Sequence, residues 1–240
     1  MKNVSTILLC ATFLSIVACG NDVKNNSRKP TAKRNLLLAE SGHYQATLSP
    51  INAHLAGDVT GSALVKVNAD TLIVEVKVNG SPAQIVHPQN IHISDSCPTL
   101  VSDVNKDGVI DAVEGQKSYG PAIIPLDNEL KTQVEKNSKF PTADFTGNYF
   151  YTQSVSMKKM LKDLTKKDNN MNDNVIKIQS NFGLEGRQVV IYGVDANTEL
   201  PKTVATFKGQ TKYSGLPIAC GSLIKIAVEN EVPSTNGGKD

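Results

Sequence analysis

The chain has no tryptophan, and its 240 residues include only four histidines and four cysteines. His43, His54, His87 and His92 are the whole supply of imidazoles, and none follows Cys97. A transition-metal centre that needs several imidazoles is therefore poorly provided for. Charge of one sign is also lacking: 25 lysines and arginines stand against 23 aspartates and glutamates. That balance leaves no electrostatic footprint for nucleic acid or an anionic substrate. The sequence carries no G-x-S-x-G turn, no phosphate-cradling glycine loop and no H-E-x-x-H pair, so the corresponding hydrolase, nucleotide and zinc-peptidase chemistries have no anchor. What remains is an ordinary apolar content and room for one all-β domain or two small ones.

The N-terminus is specific. Ile7 to Ala18 is mostly apolar, too short to span a bilayer, and preceded by Lys2, which is the layout of an export signal. It runs into Ile16-Val17-Ala18-Cys19, which resembles the bacterial lipobox. On that resemblance residues 1–18 are removed and Cys19 is acylated, with each buried methylene contributing about 0.8 kcal/mol to membrane attachment. Gly20, where an aspartate would favour inner-membrane retention, points to the outer membrane of the cell envelope. The plainer alternative is a secretory signal in which Cys19 is incidental. Residues 19–42 then form the lipidated N-terminus and a polar, basic tether, and 229–240 a disordered tail. The membrane, reached through Cys19, is the one partner implied; no protein partner can be named.

Cys10 leaves with the signal and Cys19 carries lipid, so Cys97 and Cys220 remain in an oxidising compartment. They are expected to be joined, the alternative being two separate buried thiols. Between residues 43 and 228 the pattern is mostly β. Leu72, Val74, Val76 and Val78 alternate with Ile73, Glu75 and Lys77, and Ala63, Val65 and Val67 precede them across an Asn68-Ala69-Asp70 turn. This predicts a hairpin. Further β-rich runs at 44–49, 145–151, 188–192, 203–207 and 218–228 predict a sandwich or barrel. One short covering helix is expected where Met157, Met160, Leu161 and Leu164 share a face behind a Ser156 cap.

The segment DVNKDGVIDAVE places Asp103, Asn105, Asp107, Asp111 and Glu114 at positions 1, 3, 5, 9 and 12, with Gly108 at position 6. It resembles the EF-hand loop in full. Calcium is a hard cation that takes six to eight oxygens, which this spacing supplies from short carboxylates, an amide, the Val109 carbonyl and a long closing glutamate. Asp111 is expected to act through water. Pro98 before the loop and Gly115 after it argue against long flanking helices, and no second loop pairs with it. A structural ion bound at ~10⁻⁴–10⁻³ M fits better than a sensor.

A second resemblance spans roughly residues 43–228. Asn90-Ile91-His92 and Cys97, the Gly186-Arg187-Gln188-Val189-Val190-Ile191-Tyr192-Gly193 stretch and Ala219-Cys220-Gly221 are similar to the copper/zinc superoxide dismutase family, in a divergent lipoprotein branch. The chordin-type domain is a competing likeness. The dismutase resemblance implies a Greek-key β-sandwich and independently supports a Cys97–Cys220 bridge. It also implies copper at a His-x-His pair, but here those positions are Asn90 and His92. The histidine that should end the VVI strand is Tyr192, and the guiding arginine is Pro217. A residual metal site would draw on His87, Asn90, His92 and Tyr192. Calcium is thus the expected cofactor, copper and zinc are not, and the chain reads as a non-catalytic envelope protein; the alternative is a copper handler or residual dismutase using His87 and His92. Replacing Cys19 by alanine is expected to move the protein from the membrane pellet to the soluble fraction, which fractionation of cells expressing the variant checks directly.

Overall fold

Strict alternation of apolar and polar side chains builds the first half of the fold. In β2 (Thr60–Asn68) Ala63, Val65 and Val67 point inward, and in β3 (Thr71–Asn79) Leu72, Val74, Val76 and Val78 do so with no solvent exposure. The two strands pair from Thr60 with Asn79 to Asn68 with Thr71, so the expected hairpin is present in its expected register. β1 (Gly42–Pro50) joins the other side of β2 with Tyr44, Ala46 and Leu48 inward. The computed structural model describes residues 41–68, 70–94, 96–130, 138–164 and 183–227. The signal at 1–18, Cys19, nearly all of the tether and the tail at 229–240 lie outside them.

After β3 the chain crosses to a second antiparallel group made of β4 (Gln89–His92), β5 (Ala122–Pro125), β7 (Gln188–Tyr192) and β8 (Pro217–Ser222), and returns in between to place β6 (Tyr149–Ser156) beside β3. The order β5-β4-β7-β8-β1-β2-β3-β6, with β9 (Ile224–Ile226) on β1, is a Greek key: three neighbours in sequence, then a fourth strand that comes back after a long excursion. The two groups meet where the end of β1, Ser49 and Pro50, pairs with Cys220 and Ala219 of β8. A side chain at Gly221 would collide with the Thr47 carbonyl at 2.3 Å, so only glycine permits that close approach. Inward residues of both groups share one core that contains Val65, Val74, Val76, Ile91, Val189, Ile191 and Ile218. The all-β Greek-key sandwich is the observed architecture.

Several boundaries differ from expectation. The run at 145–151 becomes strand only from Tyr149, because Asp144 gathers the backbone N–H groups of Thr146 and Asn148 into a turn. The run at 218–228 breaks at Leu223 into β8 and β9. The stretch at 203–207 is not a strand; its backbone and side chains bond to the loop carboxylates described below. The expected covering helix is α3 (Met157–Leu164), which buries Met157 and Met160 completely. It is joined by α1 (Ala53–Ala56) and α2 (Ala112–Tyr119), so the single-helix expectation is corrected. Among the described residues no helix is long and apolar enough to cross a membrane.

Cys97 and Cys220 are joined, with Cα atoms 5.8 Å apart and a separation of 123 residues. Closing so long a loop restricts the unfolded chain, a stabilisation of about 5 kcal/mol in the chain-entropy model. The double variant Cys97→Ser, Cys220→Ser is expected to lose about that much in urea unfolding. A loss below about 1 kcal/mol would show that packing alone holds the β4–β5 connection to β8.

Candidate functional site

The connection from β4 to β5 folds back across the face of β7 that points away from the main core. β7 is buried on both faces: Val189 and Ile191 enter the core, while Val190 and Tyr192 pack with Ile110, Tyr119, Ile51 and the disulfide sulfurs. Ile110 is position 8 of the predicted calcium loop and Tyr119 ends α2, so the loop is seated through its own apolar residues. Asn52 reinforces the seat. Its amide oxygen accepts from the Ile110 N–H at 2.9 Å, and its Nδ2 donates to the Ile110 carbonyl at 2.9 Å and the Pro217 carbonyl at 3.0 Å. Bonds to both the N–H and the C=O of one residue give the loop the strand-like partner that a second loop would otherwise supply. The left-handed backbone at Asn52 (φ 53°) is one that asparagine tolerates.

Within the loop every sequence-predicted side chain is engaged with backbone N–H groups. Asp103 accepts from Asp107 at 3.2 Å and Gly108 at 2.9 Å; Asn105 accepts from Asp107, and Asp107 from Val109, both at 2.9 Å. Glu114 closes the ring, taking Val104 at 2.8 Å and Asn105 at 3.2 Å on one oxygen and Asp111 at 3.2 Å on the other. Gly108 has φ 86° and Lys106 φ 58°, the two left-handed positions that turn the chain so sharply. Asp111 is buried and caps α2 through bonds of 2.9 Å to the N–H groups of Val113 and Glu114. Gly115 does not prevent this helix. It sits inside it, because a Cβ there would lie 2.7 Å from the Tyr119 ring.

Do these residues fit calcium? Their donors are oxygens, in the order a hard cation takes. The Asp103 and Asp107 oxygens accept one donor each and keep a second lone pair, whereas one oxygen of Glu114 and one of Asp111 already accept two N–H groups. Yet among the described residues no three His, Cys, Asp or Glu side chains stand together as a metal-binding group. The ring is formed and oriented, and an ion would have to draw the Asp103, Asp107 and Glu114 oxygens inward against their neighbours' repulsion. Two further contacts that sequence reading missed tie the loop outward: the Thr203 hydroxyl donates to Asp107, and the Ala205 N–H donates to Asp111 at 2.7 Å. A threonine in a loop a hundred residues away gives no local signal.

The other predicted site divides. Asn90, His92 and Tyr192 line one small cavity of about 70 Å³, with Gln116 and Tyr119 of α2 and Phe207 and Gln210 as further walls. His87 is not among the lining residues. Its ring nitrogens face the Tyr192 carbonyl at 3.0 Å and the Pro82 carbonyl at 2.9 Å, and its ring stacks on Tyr149. Burial holds its pKa below the ordinary histidine value, although both carbonyls pull the other way. His92 donates from Nδ1 to the Gly120 carbonyl at 2.8 Å, which fixes the tautomer, and its Nε2 accepts the Tyr192 hydroxyl at 2.9 Å. Its lone pair is therefore already engaged. Burial raises the pKa of Tyr119 to about 12 and that of Tyr192 well above its usual value, so both rings stay neutral phenols.

Complete burial lowers the His92 pKa from 6.5 to about 4, the Gly120 carbonyl offsetting part of the effect. Between those values the unfolded chain binds a proton that the folded chain refuses. Stability is therefore full above pH 6.5 and falls as pH drops toward 4, with up to about 3 kcal/mol lost to this residue. Urea unfolding at pH 7 and pH 4.5 should show that His92→Gln loses less stability on acidification than the wild type, by about one proton's worth of slope. An equal loss in both proteins would contradict it.

No protein-family model matches this sequence, and no curated protein is similar to it at a significant level. Among solved structures the chain is similar to the crystal structure of a double mutant of a SOD-like protein from Bacillus subtilis. That likeness has a TM-score of 0.37 and 16% identity, and covers 75% of this chain and 96% of that one.

Proposed function

We propose that the protein is a lipoprotein of the bacterial cell envelope, held to the membrane through Cys19, in which a dismutase-like β-sandwich is stabilised by calcium and serves binding or structural ends without catalysis. One observation carries this reading. The loop from Asp103 to Glu114 is closed on itself by Glu114 and tied to a distant segment through Asp107 and Asp111. An ion there would stiffen the whole β4–β5 connection, which is a structural role. The loop ligands also head α2, and α2 supplies walls to the His92 cavity, so the ion's effect would reach that far.

The chemistry around His92 supports the same reading. Copper coordination at His92 would displace the Tyr192 hydroxyl from Nε2, and bringing in His87 would break a bond to a backbone carbonyl. Leaving such buried partners unpaired costs about 1–3 kcal/mol each. The alternative, a copper handler or residual dismutase, draws on Asn90, His92 and Tyr192 sharing one cavity.

Adding about 10 mM calcium to chelated protein is expected to stabilise it by about 2–3 kcal/mol for a dissociation constant near 10⁻⁴ M, a rise of roughly 5–10 °C in Tm. Glu114→Gln should abolish the rise. A Tm indifferent to chelator, together with stoichiometric copper that is lost in His92→Ala, would replace this reading with the copper-handling one.

A further inference from the structure

A groove of about 500 Å³ opens on the outer side of the first sheet, where β3 and β6 end, well within the range of about 300–1,000 Å³ found for small-ligand sites. Lys77 and Phe150 are cross-strand partners on its floor, with Asn79 beside them and the turn residues Asp144 and Asn148 along its rim. Phe150 is 64% exposed, and Phe145, in the same turn, is 81% exposed. Among the described residues the other exposed large apolar side chains are aliphatic (Val86, Leu100, Val101, Val104, Val113 and Ile224), so this face is where open aromatic rings are found.

The polar groups around Phe150 are poised in a particular way. Asp144 gathers three donors on a single oxygen: the Thr146 N–H at 2.8 Å, the Thr146 hydroxyl at 2.6 Å and the Asn148 N–H at 3.0 Å. That arrangement fixes the carboxylate as an oriented acceptor at the edge of the groove. Asn148 is held in turn by the Gly80 N–H at 3.2 Å and by donating to the Thr146 hydroxyl at 2.8 Å. Asn79 and Lys77 bring an amide and an ammonium to the same groove. Four kinds of group therefore converge there: an aromatic face, a fixed acceptor, a two-way amide and a donor.

Each ligand class can be weighed against that set. An apolar ligand would strip water from Asp144, Asn79 and Lys77 without replacing its bonds. An anion would meet Asp144 and a cation Lys77, so net charge on the ligand gains little. A pyranose ring has an apolar C–H face to lie on Phe150 and a rim of hydroxyls that both donate and accept. We infer that the β3–β6 groove is a binding site for a neutral saccharide, with Phe150 as the platform and Asp144, Asn79 and Lys77 reading the hydroxyl rim. Its residues are distinct from those of the calcium loop and of the His92 cavity.

Saturation-transfer NMR on the full chain in detergent, with cellotetraose and with triacetylchitotriose as probes, tests the site. The expected result is transfer from aromatic protons to sugar ring protons for at least one probe, with Phe150→Ala weakening binding about tenfold, the worth of one stacked ring. Asn79→Ala, at a position that leaves the core untouched, should weaken it about threefold to tenfold. Absence of transfer from both sugars at about 10 mM, or wild-type affinity in Phe150→Ala, overturns the inference.

Discussion

The packing of Ile110 and Tyr119 onto the outward face of β7 and β8, sealed by the Cys97–Cys220 bridge, is the contact on which the rest depends. A connection of nearly thirty residues is a liability unless its backbone polar groups find partners. Here they find them in three ways. Loop carboxylates satisfy loop N–H groups, the Asn52 amide satisfies Ile110, and α2 satisfies its own ladder behind the Asp111 cap. The apolar seat couples this local order to the sandwich, because Ile110 and Tyr119 share one buried cluster with Val190 and Tyr192 of β7.

The same seat determines what the buried polar residues can do. Tyr192 stands at the end of β7 with its hydroxyl on His92, and His92 is anchored at Gly120, immediately after α2. A phenol in that place converts a lone pair that could ligate a metal into a hydrogen-bond acceptor within the core. Carboxylates are gathered instead in the loop, where Asp103, Asp107 and Glu114 accept backbone N–H groups. The two regions meet in α2, which begins among the loop carboxylates and ends against His92.

Legibility in the sequence tracked how local the deciding interaction was. The β2–β3 hairpin was readable because alternation and a tight turn lie within twenty residues, and the turn-forming pattern of the 103–114 loop is likewise contained in twelve. β5 escaped notice, and β4 was marked only by the likeness of Asn90-Ile91-His92 to a metal-binding strand, because both are four residues long and largely buried, which removes the period-two signal. Residues 203–207 have strand-forming side chains, but Thr203 and Ala205 bond to Asp107 and Asp111, and that tertiary demand overrode propensity. Gly115 argued against a long flanking helix, and α2 runs for only 8 residues; that the glycine also makes room for the Tyr119 ring appears only in three dimensions. The candidate site was half legible: Asn90, His92 and Tyr192 share a cavity, whereas His87 is turned toward the backbone.

By itself the sequence pointed to the all-β class, the pairing of Cys97 with Cys220 and the order of oxygen-bearing side chains in the loop. These rest on alternation, cysteine count and spacing, which are properties of neighbours along the chain. Only the tertiary structure decided that the loop is clamped from residue 203 onward, that His92 is matched to Tyr192, and that Phe150 lies open beside Asp144. Those facts depend on which distant segments the Greek key brings side by side, and burial, not residue type, then sets what each side chain has left to bind.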